Sequence, residues 1–479
     1  MNRRSLCFLF RPHFALFLAP AALAALLALS ACGPDTASNP ANNSGWGDGD
    51  NQGDGSSGSD SGDVDDENPC SHPSSNSCHE LATCRPTTDA YECFCGPDFT
   101  GDGTLCEYID APCNVSYIIA DRGEADDFFS WDLQVPGDCA TIQEALDAAA
   151  RTAATGEGAI TVQPGIYSEN LDFGGAAVTL RSLEGPEVTT IDGSAHSAST
   201  ISFTSSESSR SVLEGFTITG GSGTFIGESG YGGGVHIHQA SPILRDLILR
   251  ENATTVETSA TFYGGGIALR SSSATLERIH FLDNVSTYYG GGLYVSQSNN
   301  AELRNLLFAG NESLYGGGLV LYYSDTTLEN ALFLDNTGSF GAAIMLQGNA
   351  PSITQATLHG NQGNGIYVYD STPRISNSTI SNSTGHGIEN DGGSPDVHFS
   401  NFWNNAGGIA TGMDTPSAEM DNLFVDPRFQ SVASLDWSAW DLTLRPDSLL
   451  LGAADPALEN PDGSPGDIGA YGGPRGASW

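Results

Sequence analysis

The chain has 479 residues, 58 of them acidic and 17 basic, for a net charge of −41, and all 17 basic residues are arginine. With so few cations it cannot neutralise the phosphates of a nucleic acid, nor hold tightly to anionic lipid headgroups, so both partners are excluded. Charged residues make up only 16% of the chain, while 59 glycines favour tight turns and strands over helices.

Residues 1–11 are basic and free of acids, 14–29 are apolar, and Leu29-Ser30-Ala31-Cys32 closes the run. That order describes an export signal rather than a fold element. The tetrad resembles the bacterial lipobox. The resemblance implies removal of residues 1–31, acylation of Cys32, and a membrane held through N-terminal acyl chains without a spanning helix. Gly33 follows where an aspartate would retain the protein at the inner membrane, so an outer-membrane or cell-surface address is expected. Loss of Arg3, Arg4 and Arg11 leaves 14 basic against 58 acidic residues, 14 − 58 = −44. Residues 32–68 are mostly Gly, Ser, Asn and Asp without a basic residue, a flexible acidic linker.

Eight cysteines follow, an even number suited to disulfides in an exported chain. Cys70, Cys78, Cys84, Cys93, Cys95 and Cys106 crowd into a segment too small for a hydrophobic core. With Tyr91 and the turn Phe99-Thr100-Gly101-Asp102-Gly103, the spacing resembles an EGF-like domain over 69–107. That resemblance implies bridges 70–84, 78–93 and 95–106. Cys113 and Cys139, at the two ends of a connector over 108–138, are left to pair with each other. Asp63, Asp65, Asp66 and Glu67 offer the hard oxygen ligands that calcium-binding EGF modules use, whereas Pro86 stands where such modules place Asn or Asp. Calcium at this module therefore stays open beside a solvated acidic linker; no other metal or cofactor is expected.

Thr141-Ile142-Gln143-Glu144 reads as a capping box opening a helix, continued by Ala145, Leu146 and Ala149 at helical spacing. Beyond it a nine-residue module recurs, as LRDLILREN ending at Asn252, LERIHFLDN at Asn284, LRNLLFAGN at Asn311, LENALFLDN at Asn336 and ITQATLHGN at Asn361, with degenerate copies to Asn405. Between copies lies a glycine cluster followed by an aliphatic strand, as at 232–235, 264–267, 290–293 and 316–319. A period of 22 to 32 residues, with short strands and no helix per unit, is one coil of a parallel β-solenoid. The terminal asparagines are expected to stack as rungs.

This part of the chain resembles the right-handed parallel β-helix family of bacteria, and its glycine and Phe-x-x-Asn motifs are similar to the repeats of chlamydial polymorphic membrane proteins, which are adhesins. Residues 160–193 resemble the first coils of pectate-lyase-like proteins, and Asp467-Ile468-Gly469-Ala470-Tyr471-Gly472 the terminal segment of exported β-helix proteins. The expected fold is thus all-β: a right-handed parallel β-helix of about ten coils over 139–425 with an N-terminal capping helix, then an end segment over 426–479.

Such folds host lyases, hydrolases, esterases and binding proteins alike. Against a lyase, there is no lysine to abstract a sugar proton, and Arg270 has no acidic trio beside it. Gly385-His386-Gly387 echoes a hydrolase motif, but Gly387 fills an ordinary repeat slot. Strand alternation instead predicts two outward columns. One holds His236, Tyr294, Tyr367 and Glu389, and the other His238, Arg270, Tyr322, Tyr369 and Asp391. Aromatics mixed with polar side chains suit sugar rings. A further ladder, Tyr231, Tyr263, Tyr289, Tyr315 and Phe340, is expected to stack between coils. The favoured function is a surface lipoprotein that binds glycans or a cell-surface protein; the alternative is a polysaccharide lyase or glycoside hydrolase.

Overall fold

In the computed structural model the described residues run from 130 to 476, apart from 152–156, 255–259, 433 and 435, and are preceded by short stretches between 82 and 113. Residues 1–81 lie outside them, and with them Cys32, Cys70, Cys78 and the acids 63–67. Two small antiparallel pairs precede the repeats: Ala82–Pro86 with Tyr91–Cys95, which sets Cys84 opposite Cys93, and Phe99–Gly101 with Cys106–Tyr108. Cys84 and Cys93 are each disulfide-bonded. Cys113 and Cys139 form a disulfide.

Every repeat winds once around a common axis and pairs in parallel with the repeats before and after it, so the fold is a parallel β-helix. One sheet, here sheet B, has ten strands, from Leu171–Asp172 to Gly408–Thr411. Sheet A has 16 strands and begins at Ser130–Val135, before the expected boundary at residue 139. In the central coils its strands are eight residues long, such as Ile243–Arg250 and Thr275–Leu282. Each is bent at one left-handed residue: Asp246, Arg278, Asn305, Asn330 and Gln355 have φ between 51° and 55°. The bend turns the chain around the core without ending the ladder.

Alternate side chains point inward and stack by type. Val235, Ile267, Leu293, Leu319 and Ile344 form one fully buried column, and Leu244, Leu276, Leu303, Leu328 and Ile353 another. Burying each such side chain contributes about 1.5–3 kcal/mol. Phe281, Phe308 and Phe333 stack nearly parallel, with ring centroids 4.7 and 4.6 Å apart. The glycine cluster makes room for them. A Cβ on Gly292 would come within 2.8 Å of the Phe308 ring, and one on Gly265 within 2.4 Å of the Gly291 carbonyl oxygen in the next coil. Where the column changes to Leu358, Ala343 replaces the third glycine.

The asparagine rungs form as expected. Asn252, Asn284, Asn311, Asn336 and Asn361 are fully buried. The Nδ2 of Asn284 donates to Oδ1 of Asn311 at 3.0 Å and to the Leu249 carbonyl at 2.9 Å. Asn311 repeats the pattern toward Asn336 and Phe281. Each rung therefore satisfies both its own amide and a carbonyl of the preceding coil. The outward column of sheet A is ordered differently, for its register reads Arg181, Glu214, Arg245, Glu277, Arg304, Glu329. Opposite charges alternate coil by coil, with Arg245 Nε 2.5 Å from Glu214.

The N-terminal end of the core is capped and one side of sheet A is covered. The helix Ile142–Arg151 buries Ile142, Ala145 and Leu146, and its first turn is closed by the Thr141–Glu144 capping box and by Glu169, which accepts from the backbone of Ile142 and Gln143. The C-terminal segment runs back along sheet A. Asn330 Nδ2 donates to the carbonyls of Ala470 and Gly472, and Gln355 to that of Asp467. Phe429, Leu442 and Ala470 pack there on Ala309, Leu332 and Leu334.

Replacing Asn311 by Leu removes the acceptor of Asn284 and the donor to both Asn336 and the Phe281 carbonyl. Each buried group left without a partner costs about 1–3 kcal/mol. Thermal denaturation of Asn311→Leu should show a clearly lowered Tm, and an unchanged midpoint would contradict the ladder's role.

Candidate functional site

Sheet B carries both predicted columns in the predicted register, His236 to Glu389 and His238 to Asp391. Their exposure differs from expectation. His236, Tyr294, Val320, Met345 and Tyr367 are buried, with Tyr294 only 5% exposed. The cause lies in the preceding turn. Tyr231, Tyr263, Tyr289, Tyr315 and Phe340 do stack, at centroid separations of 4.7 to 5.3 Å. Each is followed by a glycine at positive φ, and the ladder rings pack over the first column. Tyr263 lies 4.8 Å from the Tyr294 ring and Phe340 5.2 Å from that of Tyr367. Burial therefore pushes the Tyr294 hydroxyl far above its usual ionisation range. Tyr294, His236 and Tyr367 do not present open ring faces, and the expectation for them is corrected: a second apolar layer covers the sheet there.

The second column stays accessible. His238, Arg270, Tyr322 and Gln347 are half-buried and Tyr369 and Asp391 exposed, with Ser296 alone closed off. The aromatic ladder stops at Phe340 because the following turns are shorter: Asn361 leads to Gly365 through Gln362-Gly363-Asn364, which holds no aromatic. Beyond that step the sheet is uncovered on one side, and a terrace opens.

On this terrace the Tyr367 hydroxyl lies 3.3 Å from Asp391 Oδ2, and the rings of Tyr367 and Tyr369 are nearly parallel with centroids 6.5 Å apart. Asn364 Nδ2 donates to Glu389 Oε2, while its Oδ1 accepts the His386 backbone N–H at 2.7 Å. Burial, reinforced by Asp391 and Glu389, pushes the Tyr367 hydroxyl up to about 12. Neither Glu389 nor Asp391 has a cationic partner among the described residues. Asn364 also borders a concavity of about 560 Å³ lined by hydroxyl and glycine residues, including Ser313, Ser339, Gly363 and Thr384. Flat rings beside amide and carboxylate edges can stack on a sugar ring and bond its hydroxyls. Among the described residues no group of three or more His, Cys, Asp or Glu is placed to hold a metal ion, and no helix is long and apolar enough to cross a membrane.

The remaining site residues, His238 and Arg270, each sit five strands from Tyr369 and Asp391 respectively, about 24 Å along the axis at the usual strand spacing. Sequence reading missed Asn364 and the covering role of the tyrosine ladder; the drop in repeat length from 25 to 22 residues marks the step where the cover ends.

A family model described as the right handed beta helix region matches residues 233–404. The fold is thus a right-handed parallel β-helix. Among solved structures, the chain is similar to an alginate lyase from Paenibacillus sp. at 11% identity and TM-score 0.34, covering 56% of this chain and 97% of that one. It is also similar to the A-module of a mannuronan C-5 epimerase from Azotobacter vinelandii at 16% identity and TM-score 0.30, covering 59% and 93%. A third is a pectin methylesterase in complex with a hexasaccharide, at 11% identity and TM-score 0.26, covering 67% and 100%. No curated protein matches the sequence.

The packing of the two columns separates their roles. Tyr294→Ala should lower stability by about 3–5 kcal/mol, the usual cost of emptying a buried aromatic site, whereas Tyr369→Ala should leave the midpoint of urea unfolding nearly unchanged. Equal effects would contradict the covered layer.

Proposed function

We propose that this chain is an exported, lipid-anchored β-helix protein that binds glycans, free or on a cell surface, through the terrace of sheet B. The observation that carries the reading is the end of the aromatic ladder at Phe340, which leaves Tyr369, Glu389, Asp391 and Asn364 together at an open step. Glu389 and Asp391 have no cationic partner there among the described residues, so neutral sugars are the favoured ligands: the net charge of −41 repels polyanions.

Binding to a panel of neutral oligosaccharides, measured by calorimetry, should weaken about tenfold or more in a Tyr369→Ala, Asp391→Asn double variant, a loss of roughly 1.4 kcal/mol or more. Full affinity in that folded variant would remove the terrace from the binding surface. The anchor is checked separately: Cys32→Ser should move the protein from the detergent phase to the aqueous phase, and unchanged partitioning would contradict acylation. A second reading, hydrolase or lyase, is favoured by Glu389 and Asp391, two carboxylates two residues apart on one strand face. Release of shorter sugars from polysaccharide by wild type, abolished in Asp391→Asn, would establish it.

A further inference from the structure

The two ends of sheet B are finished differently. At its first strand, Leu171–Asp172, the Gln143 side chain of the capping helix closes the edge: its Nε2 donates to the Asp172 carbonyl at 3.0 Å and its Oε1 accepts the Asp172 N–H at 2.8 Å. Sheet A is closed at its far end too, where Phe402 donates its N–H to the Leu423 carbonyl at 3.0 Å and Leu423 donates to that of Ser400 at 2.8 Å. The last strand of sheet B, Gly408–Thr411, pairs with His386–Asp391 and with no other strand among the described residues. In earlier coils the inward residue of this register donates its backbone N–H to the coil that follows: Val235 to Gly266, Ile267 to Gly292, Leu293 to Gly318, Leu319 to Ala343 and Ile344 to Gly365, at 2.9 to 3.1 Å. The register continues through Ile366 and Ile388 and ends at Ala410, beyond which sheet B has no further strand. Val235 to Ile388 in this column are fully buried, whereas Ala410 is half-buried. An open edge of this kind presents its N–H and C=O groups as a template for another strand.

The edge by itself does not choose a partner; charge does. Between residues 375 and 427 the chain holds seven acids and no arginine or lysine. Glu389 and Asp391 belong to the neighbouring strand, and Asp414 follows three residues after Thr411. A second copy of the chain would bring these acids against their own kind, whereas a cationic segment is drawn to them. We infer that Gly408–Thr411 is a docking edge for an extended, basic segment of another protein, which joins the ten strands of sheet B as one more parallel strand. Side chains alternate along such a strand. One set covers Ala410 and prolongs the aliphatic column, and the other projects outward beside Thr411, in line with Glu389. The partner segment therefore alternates aliphatic and basic residues. Successive residues of a parallel strand also turn their backbone groups to opposite sides. Ala410, pointing inward, turns its N–H and C=O away from the rod, so the residues of the added strand that turn theirs back toward it are the outward, basic ones.

The test uses the full chain and the fluorophore-labelled peptide acetyl-Lys-Val-Lys-Val-Lys-Val-Lys-amide, with binding followed by anisotropy at low salt. Wild type should bind it, and the counterpart with glutamate in place of lysine should bind at least about tenfold more weakly. N-methylation of the lysine backbone amides, which keeps every charge, should abolish binding, whereas N-methylation of the valine amides should not. Amide exchange over residues 408–412 should slow when the peptide is added. Ala410→Pro removes the edge N–H and should weaken binding about tenfold or more; should that variant melt lower, the two N-methylated peptides on wild type decide in its place. Absence of binding, equal binding of the two N-methylated peptides, loss with valine methylation alone, or slowed exchange confined to some other segment would overturn the added strand. Dimers of the free chain in sedimentation, with 408–412 already protected, would overturn it in favour of a second copy. No probe carries a sugar, so failure here leaves the terrace reading standing, and Tyr369→Ala should keep the peptide whatever it does to sugar binding.

Discussion

In-register stacking governs this molecule. When a chain winds so that each coil pairs in parallel with the next, every position faces its own equivalents about 4.8 Å above and below. A side chain can occupy a column only if it tolerates a copy of itself, or an engineered alternative, at that spacing. Asparagine does so because its amide is both donor and acceptor, so Asn252 through Asn361 satisfy one another in series. Flat rings do so by stacking, and aliphatic residues by contact. Carboxylates and guanidinium groups cannot stand on their own kind, and the outward column of sheet A resolves this by alternation from Arg181 to Glu329. Each exposed pair there contributes little to stability, but a slip by one coil would set like charges face to face, so the pattern fixes which coil lies on which.

The same constraint shapes the surface available for binding. A uniform solenoid offers a uniform face, and a distinct site arises only where the repeat changes. Here the change is a loss of three residues per coil after Asn361, and with it the loss of the ring that covers sheet B upstream. Glu389 and Asp391 face outward at a point where no ladder ring covers them, and Asn364, in the shortened turn, donates to Glu389.

Much of this was legible in the sequence because solenoid periodicity writes the fold directly into residue spacing. The repeat, the asparagine rungs and the register of both sheet B columns follow from positions of Gly, Asn and aliphatic residues, the helix cap from Thr141 and Glu144, and the pairing of Cys113 with Cys139 from the two cysteines that the EGF resemblance leaves over. Exposure was not legible. Strand alternation separates the core side from the far side, but it cannot tell whether the far side meets water, and the fate of Tyr294 depends on a turn whose direction is set by a positive φ at the neighbouring glycine. The charge alternation of sheet A was equally hidden, since it emerges only when residues 25 to 33 positions apart are laid side by side. The path of residues 426–476 could not be read either, as its partners on Asn305, Asn330 and Gln355 lie over a hundred residues earlier.

That returning segment orders events in time. Coils can stack as they are made, each on its predecessor, since every contact they need is within about 35 residues. The strip formed by Ala309, Leu332 and Leu334 is different: its cover, from Phe429 to Ala470, is synthesised about a hundred residues after the strip itself. Until then a growing rod displays an apolar stripe along one side. A chain cut short near residue 425 would keep its coils and its ladders yet carry that stripe permanently, and two such rods side by side would bury it against each other.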